Sequence, residues 1–258
     1  MPEMGPSETK YAIEVANQAF EKWKKKTAKE RCSILRKWYN LVLDNIDDLA
    51  IIMTYENGKP LKESKAEIIY ASSFIDWFSE EGKRAYGRSI PATQPDKRII
   101  TIKQPVGVCA LITPWNFPAA MITRKVAPAL AAGCSVIIKP AEQTPLSASA
   151  LVYLAEKAGI PKGVINLLVA NNPIPIGKEL CDNFSVRKIS FTGSTEVGKI
   201  LIKDSANSVK RISMELGGNA PLIVFNDADI EVAVKETIAS KYRNSGQTCV
   251  CANRIFVQ

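Results

Sequence analysis

A thiol on a loop, an amide clamped between prolines and a carboxylate ahead of two glycines are the side chains best suited to chemistry in this chain. Cys249 stands in Asn244-Ser-Gly-Gln-Thr-Cys249-Val-Cys251, after a stretch, Val232–Tyr242, that reads as a helix. The chain has no histidine. Ser-His-Asp, Cys-His and histidine–zinc chemistry are therefore excluded, and any general base is a carboxylate, a lysine or a tyrosine. A thiolate at Cys249 would draw on helix dipoles or nearby cations. The Cys-x-Cys spacing predicts an extended segment with the Cys249 and Cys251 thiols on one face, open to oxidation between them; packing is the alternative for Cys251. Asn116, in Thr113-Pro-Trp-Asn116-Phe-Pro118, is an amide in a rigid turn, suited to donating to an oxyanion, although a turn asparagine needs no such role. Glu215, in Met214-Glu215-Leu-Gly-Gly-Asn219, precedes flexible glycines in an apolar setting. Burial there would raise its pKa and make it a base; otherwise it is a strand-end carboxylate before a turn.

Two more motifs suit ligand binding. Lys188–Phe191 reads as a strand and runs through Thr192-Gly193-Ser194-Thr-Glu-Val-Gly198-Lys199 into a helix. The glycine spacing is that of a phosphate-binding P-loop, but Ile200 stands where a magnesium-binding Ser or Thr is required, and no GxGxxG is present. What remains is a turn at Gly193 and Ser194 whose amides suit a pyrophosphate, or a plain strand-to-helix turn. Lys139-Pro-Ala-Glu142 ends the strand Ser135–Ile138, the end at which open α/β sheets bind ligands. That pair suits ribose hydroxyls, or is a loop ion pair. No metal is expected.

The elements that must position these groups fall into two textures. The first third carries apolar residues at helical spacing over Tyr11–Trp23, Ile34–Tyr55 and Leu61–Gly82, with Asn57-Gly58-Lys59-Pro60 as a stop and restart. Residues 87–105 read as an extended arm or surface hairpin. From Val106 short apolar runs (Val106–Ile112, Ser135–Ile138, Val164–Val169, Lys188–Phe191, Pro221–Phe225) alternate with helical stretches, among them Phe117–Ala132 and one opening at an N-cap, Thr144-Pro145. This alternation predicts an α/β fold with a doubly wound, mostly parallel sheet. The 258 residues, 46% hydrophobic and 23% charged, suit a globular protein. The net charge of +8 is concentrated in Lys22–Arg31, which reads as a solvated helix face. With no aromatic-interleaved basic face, nucleic acid is not an expected partner. Six cysteines without a CxxC pair point to a reducing compartment. No targeting peptide and no membrane span are visible.

PWNFP, KPAE, FTGST with a second glycine, ELGGN and GQTC, in this order, resemble the aldehyde dehydrogenase superfamily over about Ala12 to Gln258. Lys37-Trp-Tyr-Asn40, Trp77-Phe-Ser-Glu-Glu81, Met121-Ile-Thr-Arg-Lys125 and Gly246-Gln-Thr-Cys-Val-Cys-Ala-Asn253 are similar to its succinate-semialdehyde branch. The resemblance implies a Rossmann-like dinucleotide-binding domain over 1–217, with 87–105 as an oligomerisation arm, and over 218–258 the beginning of a catalytic domain. It implies oxidation of succinate semialdehyde, or a similar carboxylated aldehyde, by way of a Cys249 thiohemiacetal and thioester. Asn116 would stabilise the oxyanion and Glu215 would activate water. Trp115, Lys139, Glu142, Gly193 and Ser194 would hold the cofactor. A carboxylate at 142 accepts bonds from a ribose 2′-OH and repels a 2′-phosphate, so NAD is expected over NADP. Arg124 and Arg243 would bind the substrate's distal carboxylate, and Cys251 would be the redox partner of Cys249. The family continues for roughly as much chain again, so the fold is expected to stop before most of the catalytic domain. A non-catalytic dinucleotide-binding or regulatory fragment is then the alternative function, with a basic nucleic-acid-binding module as the less favoured one. Homo-oligomers are implied for the full-length form, as is a cytoplasmic location, or a mitochondrial one if a presequence is missing.

Overall fold

The computed structural model describes residues 1–258 and opens with four helices. α1 (Pro6–Trp23) is followed by α2 (Ala28–Asp44), which starts at a reciprocal cap: Thr27 Oγ1 accepts from Glu30 N at 3.3 Å and Glu30 Oε2 accepts from Thr27 N at 2.7 Å. The apolar run expected as one helix over Ile34–Tyr55 is two. The backbone leaves helical geometry at Asn45 (φ −112°, ψ 24°), whose side chain donates back to Leu41 O at 2.8 Å, and α3 (Ile46–Asn57) resumes beyond it. Gly58 ends α3 at φ 83°, a left-handed conformation that costs glycine little. α4 (Leu61–Glu81) restarts after Pro60. β1 (Arg88–Pro91) and β2 (Arg98–Thr101) then form the expected antiparallel hairpin, every residue of both strands exposed.

The sheet that follows is built from β3 (Val108–Ile112), β4 (Ser135–Lys139), β5 (Ile165–Leu167), β6 (Val186–Thr192) and β7 (Arg211–Glu215), all parallel, in the order β5-β4-β3-β6-β7. Its crossovers run through α5 (Ala120–Ala132), α6 (Pro145–Lys157), α7 (Ile174–Asp182) and α8 (Thr195–Ser205). Strands covered on both faces need apolar residues at successive positions, and β4 is buried from end to end. Alternate residues of β3 feed two cores: Cys109 and Leu111 pack with Trp23, Leu35 and Trp38 beneath α2, α4, α5 and α6, while Val108 and Ala110 pack with Ile13, Ile176 and Ile189 on the α1 and α7 side. The buried indoles are satisfied, Trp23 donating to Leu130 O and Trp38 to Leu151 O, each at 3.1 Å. This is the doubly wound, mostly parallel α/β sheet the sequence predicts.

The cap expected at Thr144 is in place as a position and not as a bond. Thr144 Oγ1 is buried without a partner, and the α6 terminus is capped by Glu56, whose carboxylate accepts from Leu146 N and Ser147 N at 2.8 Å each. The remaining elements form a separate βαβ unit: β8 (Pro221–Val224), α9 (Ile230–Tyr242) and β9 (Arg254–Val257), with β8 and β9 paired in parallel. α9 has no buried residue. No helix is long and apolar enough to cross a membrane.

Candidate active site

The chain winds outward from β3 through β4 to β5, then returns to the other side of β3 with β6. Connections leaving β3 and β6 in opposite directions open a crevice beyond their carboxyl ends, the ligand-binding place of open α/β sheets. Asn116 lies past β3 and Gly193 past β6, so the topology brings two of the expected motifs to one spot. The crevice is a cleft of about 430 Å³ lined by Trp115, Asn116, Arg124, Gly193, Ser194, Glu215, Arg243, Cys249 and Cys251, among others.

Asn116 is held on several sides. Its Nδ2 donates to Gln247 O at 2.8 Å, its Oδ1 accepts from Phe117 N at 3.1 Å, and its backbone carbonyl accepts from Lys59 Nζ and Asn244 Nδ2, each at 2.8 Å. Asn57 Nδ2 holds Trp115 O at 2.7 Å. One amide hydrogen of Asn116 is thus committed to the loop that carries Cys249, and the other is free for a ligand. That loop contains three consecutive residues at positive φ, Asn244 (53°), Ser245 (55°) and Gly246 (78°), an arrangement side-chain-bearing residues adopt only when their surroundings hold them there.

Cys249 is exposed and its N–H donates to no other group of the chain. The expected extended Cys-x-Cys segment is instead a turn, because the Cys251 thiol is buried and donates inward to Thr248 O at 3.2 Å. The two thiols therefore do not share a strand face. Glu215 lines the cleft but is exposed, so the burial expected to tune it is absent: β7 is the edge strand and has no further strand over it. Arg124 and Arg243 make no ion pair, and each lies over aromatic rings, Arg124 on Phe74 at 5.7 Å and Arg243 on Phe117 at 5.6 Å and Tyr70 at 6.0 Å.

Lys139 and Glu142 are not brought into this cleft. They close on each other at the end of β4, two strands from β6, and Glu142 borders a separate hollow of about 280 Å³. Lys139 is buried, which pushes its pKa down to about 8, and Glu142 is half-buried. Adjacent strands lie about 4.8 Å apart, so the ends of β4 and β6 are roughly 10 Å apart, a span within reach of an extended dinucleotide.

Three buried ionisable residues beside the cleft escape the motif reading. Lys125, on α5 next to Arg124, donates to Ser190 Oγ at 3.1 Å; burial, with the charge of Arg124, pushes it down to about 8. Lys59 and Glu67 form an ion pair with both side chains 2% exposed. Burial raises the Glu67 carboxyl against the pull of Lys59 and of the Ala119 and Ala120 amides. The only signal for this pair in the sequence is that Lys59 sits in the Asn-Gly-Lys-Pro break; its partner is eight residues away on another element.

The chain is 61% identical over 258 residues to a glutarate-semialdehyde dehydrogenase of Pseudomonas putida, covering 100% of this chain and 54% of that protein. It is 60% identical to the Escherichia coli succinate-semialdehyde dehydrogenase NADP(+) GabD, covering 100% and 53%. The chain thus spans about half the length of the curated relatives it matches. Among solved structures, an E. coli NADP-dependent enzyme superposes with a TM-score of 0.99 at 60% identity, covering 100% of this chain and 53% of that one. A Staphylococcus aureus betaine aldehyde dehydrogenase in complex with NAD+ superposes at 0.97 and 37% identity, covering 100% and 52%. The family profile described as "Aldehyde dehydrogenase family" matches residues 1–258, and the chain belongs to that family.

Proposed function

We propose that this chain contributes the nucleophile, the oxyanion donor and the dinucleotide cradle for oxidising an aldehyde with a distal carboxylate to the corresponding acid. The observation that carries this reading is that Cys249, Asn116, Glu215, Arg124 and Arg243 line one cleft of about 430 Å³. The related succinate- and glutarate-semialdehyde dehydrogenases are named for substrates of this class.

The residues at the cleft fit a nicotinamide dinucleotide. Thr192 Oγ1 and Thr248 Oγ1 are buried there without partners, and the α8 terminus behind Gly193 is capped only by Ser194 Oγ, which accepts from Val197 N at 3.3 Å. That leaves first-turn amides for a pyrophosphate. Gly193 and Ser194 would hold it, Lys139 and Glu142 the adenine ribose, and Trp115 the cleft wall. When bound, the cofactor accepts the hydride. The Cys249 thiolate adds to the aldehyde carbon, and the resulting oxyanion takes hydrogen bonds from Asn116 Nδ2 and Cys249 N–H. Loss of hydride leaves a thioester on Cys249. Glu215 takes a proton from water, whose oxygen attacks the thioester carbon; the acid departs and the thiolate is restored. Arg124 and Arg243 hold the far carboxylate throughout.

NAD is the preferred cofactor on the charge of Glu142, although the ion pair with Lys139 offsets part of that charge and the E. coli relative is named for NADP(+). In Glu142→Ser the affinity for NADP is expected to rise, measured by titration; an unchanged affinity would remove the argument. Gly217 is proposed as the domain boundary and the exposed hairpin of β1 and β2 as the oligomerisation arm of a homo-oligomer. Oxidation of the Cys249 and Cys251 thiols to a disulfide, with a peroxide as the two-electron oxidant and reduced to water and an alcohol or a second water, belongs to the same proposal; Cys249 is the exposed thiol that would meet the peroxide first.

The exposure of Cys249 and Glu215 favours a second reading, in which this chain binds the dinucleotide without turnover, because bulk solvent around the thiol weakens the hydrogen bonds that would stabilise the oxyanion. The deciding assay supplies succinate semialdehyde or uncharged propanal with NAD and follows the reduced nicotinamide. The first reading expects turnover that Cys249→Ser abolishes. Replacing either Arg124 or Arg243 by Leu should raise KM for the semialdehyde roughly 10- to 150-fold, the worth of about 1.5–3 kcal/mol for one hydrogen bond to a charged group, and leave propanal unaffected. Equal effects on both aldehydes would sink the carboxylate assignment. Binding of NAD with no product from either aldehyde would establish the second reading.

A further inference from the structure

The mechanism uses Asn116 and Cys249 and leaves unexplained the most deeply buried charges near them. Lys59 and Glu67 are each 3% exposed. Taking two charges out of water is costly, and an apolar pair of similar volume is often as stable or more so. Stability alone therefore does not account for an ion pair here.

Its contacts do. The Glu67 carboxylate accepts from Ala119 N at 2.9 Å and Ala120 N at 3.2 Å, which fixes the entry of α5. Its other oxygen bonds Lys59 Nζ, which donates onward to Asn116 O at 2.8 Å and stands 4.8 Å from the centre of the Phe117 ring. The two side chains thus grip four residues of the segment between β3 and α5: Asn116, Phe117, Ala119 and Ala120. The same Asn116 carbonyl accepts from Asn244 Nδ2, and Asn244 also donates to Gln247 O at 3.3 Å, the atom that receives the Asn116 side-chain amide. Asn244 is itself buried and in a left-handed conformation. A shift of the Asn116 carbonyl would therefore move both the amide donor and the loop leading to Cys249.

We propose that Lys59 and Glu67 are positioning residues: the buried pair sets the Asn116 amide and, through Asn244, the Cys249 loop. The inference rests on the reading of Asn116 as the oxyanion donor, and a change of geometry near 1 Å at such a donor costs roughly 100-fold in rate.

The test uses the whole chain and two readouts. In Lys59→Met/Glu67→Gln the charges are gone and the volumes are nearly kept. The Asn116 side-chain amide, assigned by its loss in Asn116→Asp, is expected to be a dispersed, exchange-protected NMR signal in the wild type and to lose both properties in the double variant. The indole signals of Trp23 and Trp38 should stay in place and report an intact body. Where turnover is measured, kcat should fall 10- to 100-fold with KM within about twofold. If the double variant does not fold, Glu67→Asp keeps both charges and withdraws the carboxylate by one methylene, and the same amide signal should shift. An Asn116 amide unmoved in a folded variant overturns the proposal, as does a loss appearing in KM alone. A wild-type chain that oxidises no aldehyde, yet whose Asn116 amide depends on the pair, would overturn the reaction reading and leave the positioning intact.

Discussion

Lys125 puts an ammonium on α5 where the side chain is 7% exposed and has a single hydroxyl, Ser190 Oγ, for company. Its pKa falls from the ordinary 10.5 to about 8 because burial penalises the charged form. Between pH 8 and 10.5 the unfolded chain still holds a proton that the native chain has released, so stability rises with pH across that window. Below pH 8 both states are protonated and the full cost remains, on the order of 3 kcal/mol at about 1.36 kcal/mol per pKa unit. Lys125→Met is therefore expected to stabilise the chain at pH 7 by about 1–3 kcal/mol and to flatten the rise toward pH 10, measured by urea unfolding at both pH values. A variant no more stable than the wild type at pH 7 would mean that the ammonium is compensated within the fold. A burden of this kind next to Arg124 and Glu215 is characteristic of functional clefts. Local sequence could not reveal it, because the hydroxyl that meets Lys125 lies 65 residues further on. Conversely, a proline clamp and a thiol-bearing loop are local signals that single out Asn116 and Cys249, which the fold brings to one cleft, whereas Arg243 is singled out only by the family resemblance. For Glu215 the sequence leaves a buried base and a strand-end carboxylate both open, and the structure shows the exposed strand end, since burial depends on whether another strand covers β7.

At the scale of elements, α6 shows how a local signal and a distant one share a task. Thr144-Pro145 marks where the helix starts, and the start is there. The bonds come from Glu56, 90 and 91 residues earlier, which accepts from two first-turn amides with its charge at the positive end of the helix dipole. Glu56→Ala should cost about 1–2 kcal/mol, in the range of a lost cap with its charge. Thr144→Ala should cost far less, since Thr144 Oγ1 bonds nothing. Denaturant midpoints of the two variants decide between them; a larger loss in Thr144→Ala would restore the local cap. The strands divide in the same way. β3 and β4 are buried apolar runs and stand out in the sequence. β7, Arg-Ile-Ser-Met-Glu at the sheet edge, and β9 after the Cys249 loop do not. Their strand character is supplied by a neighbour's hydrogen bonds, to which the residue pattern is nearly silent.

Across the whole molecule, order is unequally shared. The sheet of β3 to β7 is backed by two cores of 30 and 15 buried residues. Residues 218–258 contribute four buried residues, Val224, Asn244, Cys251 and Ala252. A two-stranded sheet with one solvent-facing helix buries too little apolar surface to offset its own ordering entropy. The segment is held mainly by polar ties at the cleft, Asn116 to Gln247 and Asn244 to Asn116. Amides of β8, α9 and β9 are therefore expected to exchange through local openings costing a small fraction of the roughly 5–15 kcal/mol of a typical domain. Those of β3, β4 and β6 should exchange only near the global limit, in native-state hydrogen exchange read by mass spectrometry. One cooperative limit for the entire chain would show that the cleft ties are strong enough to weld the two parts. The cleft draws Gly193 and Ser194 from the stable part and Cys249 from the weaker one. A dinucleotide that touches both must then raise the opening cost of 218–258 by RT ln(1 + [L]/Kd), about 2.7 kcal/mol at a hundredfold excess over Kd. One that touches only the stable part leaves the exchange of α9 unchanged. The same measurement without and with NAD therefore reports whether the cofactor bridges the two parts, whatever the chain's turnover.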